Sequence, residues 1–114
     1  MKKELEIFIN YLSVERGYST NTLEAYKNDI LDLLKFLEKI QMKNLKNVSE
    51  ENIYGYTEIL NSKKYKNSTK SRKIASNKSF FKFLRAENYI QSNPFSEFSQ
   101  PKVSNKIPDI ISIE

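Results

Sequence analysis

The chain of 114 residues contains no cysteine and no histidine. Without cysteine, neither a disulfide framework nor a thiolate metal site can form. Without histidine, the commonest metal ligand and the commonest general base are both missing. Glycine occurs twice and proline three times. All three prolines lie after residue 93, so the strongest helix breaker is absent from the preceding stretch. No apolar run approaches the roughly 20 residues needed to span a bilayer. The N-terminus, MKKELEIFINYL, carries acids inside its apolar stretch and does not fit a signal peptide. A helical domain with a cytoplasmic location, no metal and no cofactor is expected.

The composition that remains is 39% hydrophobic and 29% charged, as in ordinary globular domains. Net charge is +5, and its distribution is uneven. Residues 59–86 hold nine basic side chains and no acid, whereas the segments on either side are each net negative by two. Such asymmetry is the electrostatic footprint of a polyanion partner. A solvated lysine-rich face would produce the same count, so charge alone leaves both readings open.

Periodicity predicts four helices. In residues 2–16, Leu5, Phe8, Ile9 and Leu12 recur on one helical face, and Gly17 follows as a left-handed terminator. Ser19 is placed to cap a second helix from about Thr20 to Ile40, with a stripe of Leu23, Tyr26, Ile30, Leu33, Leu34 and Leu37. Residues 41–48 read as a polar connection. Ser49 caps a third helix, with Glu50 and Glu51 at the positive end of its dipole and Ile53, Tyr56 and Leu60 facing inward. After the basic stretch SKKYKN (62–67), Ser68 or Thr69 opens a fourth helix that runs to about Ala86, with Asn88 as its terminator. The tail from residue 100, with Pro101 and Pro108, reads as an extended linker.

On a helical wheel of residues 69–85, Ile74, Phe81 and Leu84 form the core face, widened by Phe80 and Phe83. Thr69, Arg72, Lys73 and Ser76 gather on an adjoining side of the first half, and Lys78, Lys82 and Arg85 take the remaining side. Hydroxyls and N–H groups at a helix start bind phosphate oxygens, and arginine one turn later can reach phosphates or base edges. The three phenylalanines read as core rather than as base-stacking platforms. Ser68 could serve only as a cap, and Lys63, Lys64 and Lys66 only as a solvated loop.

Four phrases resemble, in order and spacing, the N-terminal core-binding domain of tyrosine recombinases of the Xer and phage-integrase type. FINYLSVERGYSTNTLEAYKNDILDLLKFL (8–37) is similar to a helix ending in E-R-G followed by S-x-N-T-L-x-A-Y-x-x-D-L. SRKIASNKSFFKFL (71–84) resembles A-R-x-L-S-A-L-R-x-F-Y-x-F-L. ENYIQSNPFSEFSQPK (87–102) carries the short turn, N-P and P-K, and KIPDIISIE (106–114) resembles the opening of the family's catalytic domain.

The resemblance implies an all-α fold, a four-helix SAM-like bundle over residues 1–99, with residues 100–114 as linker and start of a catalytic domain. It implies one jaw of a clamp around double-stranded DNA, in a tetramer with other recombinase protomers. The matching DNA-facing positions are Ser68, Thr69, Arg72, Lys73 and Ser76 on the fourth helix and Thr22, Lys27 and Asn28 on the second. Tyr26 also matches a family tyrosine but falls on the core stripe. Asn77 stands on the core face where the family is apolar, and Lys78 replaces an arginine. None of the seven tyrosines matches the family's nucleophile motif. The chain is therefore expected to be a monomeric piece of a longer enzyme that binds DNA without cutting it. The Xer type is favoured over a phage or transposon integrase. A domain serving mainly protein–protein contact within the tetramer is the competing reading.

Overall fold

The computed structural model describes residues 1–96. The linker read at 100–114, the end of the domain at residue 99 and the KIPDIISIE phrase lie outside the described residues. Among the described residues there are four α-helices, one short 3-10 turn and no strand. The helices are α1 (Lys2–Val14), α2 (Thr20–Lys39), α3 (Glu50–Ser62) and α4 (Asn67–Ala86), and the turn is Leu45–Asn47.

The ends of these helices follow from local chemistry. Gly17 adopts a left-handed φ of 64°, letting the Tyr18 N–H return to the Leu12 carbonyl at 3.2 Å. The Ser19 hydroxyl accepts from the Thr22 N–H and so opens α2. Ser49 and Asn52 form a reciprocal capping box at the start of α3. Asn88, at φ 65°, ends α4 as expected, and the Tyr89 N–H closes on the Leu84 carbonyl. Gln41 also takes a left-handed φ, 63°, after α2, a conformation its side chain does not announce.

Two expectations are corrected. Helix α4 starts at Asn67, with Lys66 at the cap position and no side-chain cap bond, so Ser68 and Thr69 lie inside the first turn. The segment 41–48 is not merely a polar connection. Asn44 accepts from the Lys46 N–H and folds the 3-10 turn, which seats Leu45 and Val48 in the core.

The core lies where α2 packs along α4, with α1 and α3 against them. Ile30, Leu33, Leu34 and Leu37 of α2 meet Ile74, Phe80, Phe81 and Leu84 of α4, all buried. Phe8 of α1 joins them, with ring centroids 5.4 Å from Phe80 and 5.2 Å from Phe83. Burying each such aromatic ring stabilises by roughly 1.5–3 kcal/mol. Phe80 and Phe81 are thus packing residues, and Phe83 is half-buried against Tyr11. After α4 the chain folds back. The Asn93 side chain accepts from the Phe95 N–H, and Ile90 and Phe95 close the end of the core.

Candidate nucleic-acid interface

Helices α2 and α4 are joined by charge as well as by apolar packing. Asp29, one residue before the buried Ile30, has a fully buried side chain. A carboxylate removed from water needs hydrogen-bonding partners, and α4 supplies them within one turn. Arg72 donates twice, from Nε to Oδ2 at 3.1 Å and from Nη2 to Oδ1 at 2.9 Å. The Ser76 hydroxyl donates to Oδ2 at 2.9 Å. The Lys73 ammonium lies 3.6 Å from Oδ1 of Asp29 and 3.7 Å from Oδ2 of Asp32. It also sits 5.3 Å from the centre of the Tyr65 ring, over the negative face. Tyr56 of α3 donates to Asp32 at 2.8 Å, extending the network to a third helix.

The electrostatics follow from this geometry. The Arg72 guanidinium is held above its already high ordinary pKa by its hydrogen bonds to Asp29 and then by the carboxylate's charge. The Tyr56 phenol is pushed up by burial first and by its bond to Asp32 second. Asn77, on the core face as the wheel indicated, is fully buried. Its amide nitrogen donates to the Lys73 carbonyl at 2.8 Å and to the Asp29 carbonyl at 3.4 Å, while its Oδ1 has no partner.

The residues singled out from sequence divide into groups. Thr22, Arg72 and Ser76 line one shallow groove between α2 and α4, about 370 Å³ in volume, with Asn21, Ala25 and Ala75 also on its walls. Ser68 is exposed and Thr69 half-buried, both in the first turn of α4. Lys73 points inward, with only 11% of its side chain exposed. Lys27 is exposed but lines a different groove, between α1 and α2, with Ile9, Leu23 and Leu31. Asn28 is exposed on α2. Tyr26 packs beside Phe8 and Tyr18, as a core-stripe residue should. Sequence reasoning missed Asp29, Asp32, Tyr56 and Tyr65 as members of this network. Its signal was present: Asp29 sits directly beside the apolar stripe of α2, where an acid requires a cationic neighbour.

Seven further cations of residues 59–86 (Lys63, Lys64, Lys66, Lys70, Lys78, Lys82 and Arg85) form no ion pair among the described residues. The same residues contain no group of three potential metal ligands, and no helix is long and apolar enough to cross a membrane.

Residues 5–88 match the family model described as phage integrase, N-terminal SAM-like domain. The chain belongs to this family. The matched span runs from α1 through the terminator of α4 and so contains the whole Asp29 network. The tyrosine recombinase XerC of Anoxybacillus flavithermus is 37% identical over 107 residues, which are 94% of this chain and 36% of that protein. The XerC of Herpetosiphon aurantiacus is 34% identical over 99% of this chain and 37% of its own length. The tyrosine recombinase XerD of Rickettsia bellii is 36% identical over 94% of this chain and 35% of its own. The SAM-like domain therefore corresponds to little more than a third of each relative. No solved structure matches the chain.

Proposed function

We propose that this SAM-like domain grips double-stranded DNA as one jaw of a site-specific tyrosine recombinase of Xer type. Residues 1–99 form the DNA-binding unit, and residues 100–114 lead to a catalytic domain that cuts and rejoins strands. Further protomers assemble on the same DNA, in the cytoplasm, and chromosome-dimer resolution is the biological setting. The observation that carries this reading is the acid-free basic segment 59–86, from which Arg72 emerges at the mouth of the α2–α4 groove. Thr22 lies in the same groove, and Ser68 and Thr69 occupy the neighbouring first turn of α4. Hydroxyls and cations in that pattern suit a phosphate backbone entering beside a helix start.

The test is titration of a labelled duplex with the chain at rising salt. If about six phosphates are contacted, the logarithm of affinity falls with the logarithm of salt at a slope near −5. No strand cleavage is expected from these residues alone. A chain that shows no salt-dependent association with duplex DNA refutes the proposal.

A further inference from the structure

Arginine carries five N–H donors on a rigid plane, with a side edge (Nε and one terminal nitrogen) and an end edge (both terminal nitrogens). In Arg72 the side edge is spent on Asp29, through Nε and Nη2. No other partner of Arg72 exists among the described residues, and 55% of the side chain is exposed. The donors of the end edge are therefore unused, on a side chain more than half in solvent. The carboxylate beneath it is fixed, being fully buried and bonded to Ser76 as well. The guanidinium plane is thus oriented before any ligand arrives, which removes part of the ordering cost of binding.

A phosphate contact does not require this arrangement, since a lysine serves as a point charge. A planar fork held with its end edge unused matches the two acceptors, O6 and N7, that guanine shows in the major groove. The walls beside it agree. Ala25 and Ala75 border the groove beside Thr22, and small apolar groups there suit base edges, including a thymine methyl, better than a charged backbone.

We propose that Arg72 reads a guanine through the end edge of its guanidinium, with buried Asp29 as the positioning residue that sets the plane. This rests on the reading of the domain as DNA-binding and names one base contact within it.

The experiment is selection of bound sequences from a pool of random duplexes, followed by affinity measurements on the selected duplex. The expected result is enrichment of a guanine at one fixed place. Replacing that guanine with 7-deazaguanine, which keeps O6 and loses N7, weakens binding of the unaltered chain by roughly 5- to 10-fold, the lower end of the range for a whole bidentate pair. Arg72→Lys loses the enrichment and the response to 7-deazaguanine. Asp29→Asn, if folded by its melting curve, shows reduced discrimination although Arg72 is intact. The inference is overturned if the unaltered chain binds duplex but enriches no guanine, if it tolerates 7-deazaguanine, or if R72K keeps the preference. The 7-deazaguanine measurement needs no variant and stands whether or not D29N folds. Failure of the unaltered chain to bind the pool at all would instead remove the DNA-binding reading, and this inference with it.

Discussion

Replacing Asp29 with alanine separates the two ends of the α2–α4 charge cluster. Asp29 is fully buried, and its carboxylate takes three hydrogen bonds and the Lys73 ammonium. Removing one partner of a buried ion pair costs about 3–5 kcal/mol, because the remaining charge is stranded. Here the lower end applies. Arg72 is 55% exposed and returns to water, whereas Lys73 stays inside with Asp32 at 3.7 Å as its remaining carboxylate. A loss of about 3 kcal/mol is large against the 5–15 kcal/mol typical of a domain. It corresponds to a fall in melting temperature of roughly 12–24 °C for a domain of this size. Arg72→Ala should cost much less, about 1–2 kcal/mol, since Ser76 and Lys73 still serve the carboxylate and the lost partner was half in water. Thermal unfolding followed by circular dichroism near neutral pH measures both. Equal losses in the two variants, or a D29A loss below about 1 kcal/mol, would refute the asymmetry and with it the claim that Asp29 is the fixed point.

Two other perturbations test the same region. The raised pKa of Tyr56 means that the folded state keeps a phenolic proton which the unfolded chain releases near pH 10. The contribution is therefore complete below about pH 10 and is lost as pH rises above it, at about 1.4 kcal/mol per pH unit for one proton. Tyr56→Phe should make alkaline unfolding shallower by that one proton, and denaturant titrations on both sides of pH 10 check it; an unchanged slope contradicts the assignment. Asn77→Leu removes the buried Oδ1 that has no partner and gives up bonds to the Lys73 and Asp29 carbonyls, both already inside helices. It should stabilise by about 1 kcal/mol, and a clear fall in melting temperature would show that the amide oxygen is satisfied.

Periodicity exposed most of the fold because each helix spaces its buried residues three or four apart, as Leu5, Phe8 and Leu12 do in α1. Gly17, Ser19, Ser49 and Asn88 marked boundaries because each has a side chain, or lacks one, suited to a helix end. The segment 41–48 was less legible. Leu45 and Val48 are isolated apolar residues in a polar stretch, and only tertiary packing decides that they are buried. The cap of α4 was misplaced by two or three residues because Ser68 and Thr69 are good caps that here are not used, Lys66 holding that position. In the candidate site, the wheel brought Arg72, Lys73 and Ser76 together but could not say what they face. That depends on which residue of α2 lies opposite, and Asp29 is 43 residues from Arg72 in the chain. The wheel treated both cations as outward-facing, while the fold turns Lys73 inward and leaves Arg72 at the surface.

Stability alone does not account for a buried acid at Asp29, because well-packed apolar residues often replace buried ion clusters at no loss. Register does account for it. The donors at Arg72, Lys73, Ser76 and Asn77 lie on two successive turns of α4 and converge on the carboxylate or backbone of Asp29. A slip of one turn in one direction would bring Ser76 and Asn77 to the places of Arg72 and Lys73, and Phe80 and Phe81 to those of Ser76 and Asn77, leaving the carboxylate without a cation. A slip in the other would bring Ser68 and Thr69 to the places of Arg72 and Lys73 and force the two long cations into the places of the shorter Ser76 and Asn77. Apolar side chains tolerate such slips far better than an acid does, so the cluster selects one alignment of α2 on α4. That same alignment places Thr22 across the groove from Arg72. The charge cluster therefore converts two separate helix faces, one ordinary in charge and one strongly basic, into a surface with a fixed shape. On the proposed reading, a fixed shape serves contact with a particular base, whereas attraction of a charged backbone does not need it.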